Sequence, residues 1–202
     1  MEAAVERLCK QGPARFSPHE ICAELSISKA LVNYHFGGKD GLMAAAMVEG
    51  YERYVAALEA AAEAAGPEPI DKVMAWVETQ IFWSVDNPGI GVALNYPLLV
   101  TEEALSLTPE HELRITRAGS RNQFFLWGLI TDLARSQSEA DLDVDDEHYL
   151  MVTSMLIAWL TLGISVWNSG QHLPTSAIAS NELASEVRNR IRSTILTVAR
   201  GQ

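Results

Sequence analysis

The chain has 202 residues, 48% of them hydrophobic, and a net charge of −11. That is apolar material for one large core, or for a small domain beside a larger one, and the acidic balance argues at first against nucleic acid, whose binding draws on Lys and Arg. The two cysteines, Cys9 and Cys22, lack the spacing of a metal knuckle, and with no secretory signal pattern at the start a reducing cytoplasm is the expected setting.

The first element in chain order is an amphipathic helix from Met1 to Gly12, carrying Val5 and Leu8. Residues 17 to 36, SPHEICAELSISKALVNYHF, then read as two short helices joined by a tight turn. Ser17 is placed to cap the first of them, with Glu20 reaching back to the cap's own N–H and Pro18 at the first helical position, where no N–H is needed. Ile21 and Leu25, four apart, are expected on one inward face; Ser26 must adopt a turn conformation that glycine reaches more easily. Ser28 caps the second helix. Val32 and Phe36 are expected to pack on Ile21, Leu25 and Ile27, which leaves Lys29, Ala30, Leu31, Asn33 and His35 on outward or end positions. Asn pairs bidentately with adenine, apolar side chains touch a thymine methyl, and Lys and His hold phosphates. Asn33 is therefore the expected base reader, Ala30 and Leu31 the apolar contacts, and Lys39, after the Gly37-Gly38 hinge, a phosphate contact.

With those residues in place, the segment 1–47 resembles the DNA-binding domain of the tetracycline-repressor (TetR) family of bacterial transcription regulators. The resemblance rests on Val5, Leu8 and Gly12, on Ser17 and Ile21, on Ser28, Lys29, Val32, His35 and Phe36, and on Lys39 and Leu42. It implies an all-α fold: a three-helix helix-turn-helix domain, residues 1–47, followed by a larger effector-binding and dimerisation domain, residues 48–202. It also implies DNA contacts at Ser17, Pro18, His19, Lys29, Ala30, Leu31, Asn33, His35 and Lys39. Three departures stand out: Ser26 replaces the usual turn glycine, Asn33 replaces a common tyrosine, and no basic arm precedes the first helix. The last is expected either from truncation or from lower DNA affinity.

Charge distribution qualifies the acidic total. Residues 1–45 hold Arg7, Lys10, Arg15, Lys29 and Lys39 against Glu2, Glu6, Glu20, Glu24 and Asp40, so this region is neutral and the acid surplus falls in the remainder.

Beyond the motif the pattern is helical almost throughout, without the alternation of strands. A fourth helix is expected from about Lys39 to Ala65, roughly 40 Å long at about 1.5 Å per residue. Gly66-Pro67 stops it, Pro69 and Asp71 begin a fifth, and Asn87-Pro88-Gly89 ends that one. Thr108-Pro109-Glu110 opens a long helix to about Arg135, and a last helix is expected over about 181–199, with Leu183, Val187, Ile191, Ile195 and Val198 as its apolar stripe. Arg188, Arg190 and Arg192 are expected in solvent. Residues 149–181 hold no Asp, Glu, Lys or Arg. Their Thr, Ser and Gly content argues against a membrane span; the expected cause is burial on both faces, one against the core and one against a second subunit.

Trp76, Trp83, Tyr96, Phe124, Trp127, Met155 and Trp159 form a candidate effector pocket, although each is also an ordinary core residue type. Arg114, Arg117 and Arg121 share a helical stripe that suits an anion, with Glu110–Arg114 as an exposed i,i+4 pair the simpler expectation. Asp145 and His148 have the i,i+3 spacing of one half of a carboxylate-bridged di-metal motif, but its other ligands are missing, and no Walker loop, nucleophile elbow or dinucleotide fingerprint occurs. The expectation is a non-enzymatic, cofactor-free regulator, homodimeric through its last two helices as in the resembled family, most simply a repressor released from a palindromic operator by a small molecule. The alternative is a helical ligand-binding or interaction module with weak or lost DNA binding.

Overall fold

A computed structural model of the chain describes residues 1–89, 107–137, 148, 151–157, 178–179, 182–183 and 185–199. Among these the protein is helical apart from a short antiparallel ladder, Ile178–Ala179 (β1) with Glu182–Leu183 (β2), in which Ile178 pairs with Leu183. Helix α1 spans Glu2–Gln11 and buries Ala4, Val5, Leu8 and Cys9 along one stripe, the three-to-four spacing of an amphipathic helix. Gly12 closes it by donating its N–H to Leu8 O at 2.9 Å. A 3₁₀ turn, Pro13–Arg15, leads to α2, Pro18–Glu24, with Ser17 as N-cap.

The reciprocal cap expected at Ser17 does not form. The Ser17 side chain makes no capping bond, and Glu20 turns instead to Arg7, Oε2 to Nη1 at 2.5 Å. A charge-assisted bond to guanidinium outcompetes a neutral backbone N–H for the same carboxylate. Leu25 also departs from expectation: α2 ends at Glu24, so Leu25 lies at the C-cap, off the Ile21 face, and is 47% exposed. Cys22 is buried beside Ile21 in its place. Ser26 adopts φ 54°, the strained turn the missing glycine requires.

Helix α3, Lys29–Phe36, begins as expected, with Ser28 Oγ accepting from Leu31 N at 3.3 Å. Gly37 ends it in the left-handed conformation, its N–H donating to Asn33 O. Helix α4 runs Lys39–Ala64. Its third residue, Gly41, lies so close to the end of α3 that a Cβ there would overlap Phe36 O. Helix α5 covers Pro69–Asp86, α6 Pro109–Gln137 and α7 Ser185–Ala199. Thr108 caps α6 reciprocally: its Oγ1 accepts from His111 N at 3.2 Å, and its own N–H donates to His111 Nδ1 at 3.4 Å. The last helix starts four residues later than expected because Glu182 and Leu183 belong to the ladder.

The chain packs as two compact units, one of residues 1–55 with 84–119, the other of residues 56–83 with 120–202. The first has its core on Leu8, Phe16, Ile21, Val32, Leu42, Met43 and Met47. Within it Gly89 abuts the end of α1, where a Cβ would overlap Leu8 O and Gly12 N, and Lys10 Nζ donates to Asp86 O. The second is centred on Leu58, Trp76, Ile81, Leu126, Ile130, Leu133 and Ile195.

Two expectations about arginines are overturned, those for Arg114 and Arg121, while the solvated Arg188 and Arg192 gain partners from a distant helix. Arg188 pairs with Glu78 at 2.5 Å and Arg192 with Asp71 at 2.8 Å, which leaves only Arg190 of that trio on its own helix, bonded to Glu186. Arg114 binds Glu52 and Glu49 of α4 rather than Glu110. Arg121 binds Glu59, so two of the three cations expected to suit an anion are already neutralised. In each case the partner is a carboxylate distant in sequence, invisible to local spacing.

Candidate nucleic-acid interface

The first unit carries a cleft of about 540 Å³ lined by Ala14, Arg15, Phe16, Ser17, Pro18, His19, Cys22, Lys29, Val32, Asn33 and Lys39. Local folding explains why these converge. The 3₁₀ turn and Ser17 form one wall, the start of α3 and Asn33 the other, and Lys39 enters from the first residue of α4. Of the nine residues expected to contact DNA, Ser17, Pro18, His19, Lys29, Asn33 and Lys39 line this cleft. Ala30, Leu31 and His35 do not, although all three are exposed on α3, Leu31 at 44%. An apolar side chain that far in solvent suits a thymine methyl.

Two residues outside those nine lie beside them. Arg15 lines the cleft, yet it sits in a 3₁₀ turn outside the helix-turn-helix pattern, and only its charge marks it. Tyr34 is 84% exposed, and its ring meets that of His35 edge-on at 5.0 Å. An aromatic on the outer side of a recognition helix is the signal that singles it out.

The electrostatics of residues 1–45 are more decided than their neutral sum. Arg7 draws Glu20 at 2.5 Å and Glu24 at 2.8 Å, and Arg53 draws Glu2 at 2.6 Å. Hydrogen bonding from Arg53 holds the Glu2 carboxyl below its ordinary pKa, and the bond to Glu24 raises that of Arg7. Lys10 is engaged by the Asp86 carbonyl. Arg15, Lys29 and Lys39 are exposed and take part in no ion pair among the described residues. Three of five acids are therefore bound away by arginines, while three of five cations meet at one cleft with no carboxylate partner among the described residues. That polarity suits a polyanion.

The candidate effector residues of the second unit do not form one enclosed group. Trp76 is 1% exposed and donates Nε1–H to Asn122 Oδ1 at 3.2 Å. Trp83 is half-buried. Trp127 is half-buried, its ring edge-on to Phe124 at 5.4 Å, and its buried Nε1 has no hydrogen-bond partner among the described residues. Phe124 is 66% exposed over an open groove of about 350 Å³ with Ala62, Glu63, Lys72, Phe125, Gly128, Leu129 and Asp132. Met155 is 47% exposed. Tyr96 and Trp159 lie outside the described residues, as does Asp145. Among the described residues no cluster of potential metal ligands occurs, and no helix is long and apolar enough to cross a membrane.

Residues 1–46 match the family of bacterial regulatory proteins called the tetR family. Among solved structures, the chain is similar to a bacterial regulatory protein in the tetR family from Rhodococcus RHA1, with 23% identity, a TM-score of 0.61, and coverage of 98% of this chain and 92% of that one. It is similar to a protein of unknown function from Rhodococcus sp. RHA1 at 19% identity and a TM-score of 0.66, covering 99% and 91%. A third is a transcriptional regulator of the TetR/AcrR family from Thermobifida fusca, at 18% identity and a TM-score of 0.56, covering 96% and 93%. No curated protein is a significant match. Residues 1–46, with their helix-turn-helix geometry and polarised cleft, thus match the model of the tetR family, and the chain shares the fold of solved structures described as members of that family.

Proposed function

We propose that the chain is a dimeric, ligand-responsive transcriptional regulator, a repressor whose two heads grip a palindromic operator until a small molecule releases them. The observation that carries the DNA-binding part is the meeting of Arg15, Lys29 and Lys39, none of them ion-paired among the described residues, around Asn33 in one cleft. The cations hold phosphates and set position; Asn33 reads an adenine edge, with Leu31 and Ala30 against thymine methyls.

Dimerisation has a separate support. The helical segment 151–157 turns Thr153, Ser154 and Ile157 inward and leaves Met151, Val152, Met155 and Leu156 between 39% and 48% exposed. Four contiguous apolar side chains on one helix face suit a matching helix from a second copy. Two heads per dimer then fix the half-site spacing. Release requires an effector that binds the DNA-incompetent state more tightly, so DNA must weaken effector binding by the same factor. The unsatisfied Trp127 Nε1 in the second unit suits a ligand with a hydrogen-bond acceptor.

Footprinting of fragments from around the chain's own gene at low salt tests the reading. Two protected half-sites, one or more helical turns apart and lost on adding an effector, are the expected result. Uniform, sequence-independent protection at every protein concentration contradicts it.

A further inference from the structure

The cleft of the first unit is a concavity of about 540 Å³, within the ordinary range of small-molecule sites. Ala30 and Leu31, the apolar side chains suited to thymine methyls, stand outside it, exposed on α3. Its three cations converge from separate elements: Arg15 from the 3₁₀ turn, Lys29 from the first position of α3, Lys39 from the first position of α4. Further donors stand among them. The Ser17 hydroxyl makes no capping bond, Asn33 brings a side-chain amide and His19 an imidazole. Among the described residues the lining holds no Asp or Glu, and the acids nearest in sequence, Glu20 and Glu24, are drawn to Arg7. Phe16, Cys22 and Val32 are buried beneath these groups. An apolar floor lowers the local dielectric and strengthens each charge-assisted bond made above it.

We infer that this cleft is a receptor for a compact polyanion of two or three linked phosphoryl groups, free oligophosphate or the phosphate tail of a nucleotide, which competes directly with DNA for the head. As control of DNA binding this rests on the proposed function; as an anion site it stands on the cleft alone. Linked phosphoryl groups place their charges closer together than the sugar-spaced phosphates of a duplex. One such anion can therefore meet cations that converge on a single concavity from three sides, with the Ser17 hydroxyl and the Asn33 amide as neutral donors. Phe16, the one phenyl ring in the lining, is buried rather than presented for stacking, so recognition falls on the phosphates and leaves a base unread. An anion seated here neutralises the cations that would hold duplex phosphates and covers Asn33, the proposed reader of adenine. Anion and DNA then exclude one another, each weakening the other by the same factor. The route needs no ligand in the second unit.

Calorimetric titration of the full-length protein without DNA, at about 0.1 M salt and without divalent metal, tests this by comparing phosphate, pyrophosphate and tripolyphosphate with sulfate. Affinity should rise about three- to tenfold with each added phosphoryl group, the contribution of one further charged contact in a partly exposed site. ATP and CTP should bind alike. Arg15→Gln, Lys29→Gln and Lys39→Gln, all at exposed positions, should each lose a similar factor. Tripolyphosphate should displace a random duplex with an inhibition constant equal to its own dissociation constant. Binding no tighter than that of sulfate at matched ionic strength, or unchanged in all three variants, overturns the site, since the anion then acts as salt only. A strong preference between ATP and CTP overturns recognition by phosphate alone, and binding without displacement of duplex overturns the competition. If a variant does not fold, the wild-type series by phosphate number decides the question. A protein that binds tripolyphosphate but no duplex strikes the DNA-binding reading and leaves the anion site standing; one that binds duplex but not tripolyphosphate does the reverse.

Discussion

Two sides of one compact unit are built from the same residue types and wired in opposite ways. Along α1, α4 and the start of α6, Glu2, Glu49 and Glu52 each meet an arginine, with Arg53 and Arg114 supplying the forks. At the cleft between the 3₁₀ turn and α3, Arg15, Lys29 and Lys39 meet no carboxylate among the described residues. The matched side holds helices together; the unmatched side is left for an anion from outside.

The comparison breaks most severely if the shared core fails. Leu8 of α1 is fully buried beneath both sides, and Leu8→Ala is expected to cost about 2–5 kcal/mol by lost burial and the cavity left behind. Urea unfolding followed by circular dichroism measures it; a loss under about 1 kcal/mol would mean that α1 is not anchored by its buried stripe.

Asn33→Ala sharpens the functional side without touching the core, since Asn33 is exposed. It should cost about 1–3 kcal/mol at one base pair of the operator and little on random duplex. Equal losses on both duplexes, read by fluorescence anisotropy, would remove Asn33 as the base reader.

A smaller effect is expected where the two sides adjoin. Arg7→Gln releases Glu20 and Glu24 from their pairing, and both carboxylates then act at close range on the neighbouring cleft. Duplex binding at low salt should weaken about two- to threefold, with the difference fading once salt screens beyond about 10 Å. Tighter binding in this variant would show that Arg7 itself opposes DNA docking.

Much of this division lies beyond local reading of the sequence, and particular residues show why. The caps and breakers Ser28, Gly37, Pro69 and Thr108 act within a few residues, so the helix ends they govern are legible. The outward set of α3 follows from its spacing, and Lys29, Ala30, Leu31, Asn33 and His35 are all exposed. Local spacing assigns Glu20 to a cap because its arginine lies thirteen positions earlier; it assigns Arg114 to Glu110 because Glu52 lies sixty-two positions away. Arg15 is hard to recognise as a cleft residue because a 3₁₀ turn has no periodicity to orient it. The close approach of Gly89 to Leu8 and Gly12 likewise joins distant parts of the chain, and nothing beside Gly89 in the sequence announces it.

If the cations gathered at the cleft are what holds DNA, the salt dependence of duplex binding must report them. Log Kobs against log salt should fall with a slope of about −0.9 per phosphate neutralised, so three cations in each of two heads give roughly −5. Replacing Arg15, Lys29 and Lys39 together by Gln should bring the slope close to zero while the thermal unfolding midpoint holds. A variant that keeps the wild-type slope would contradict the account.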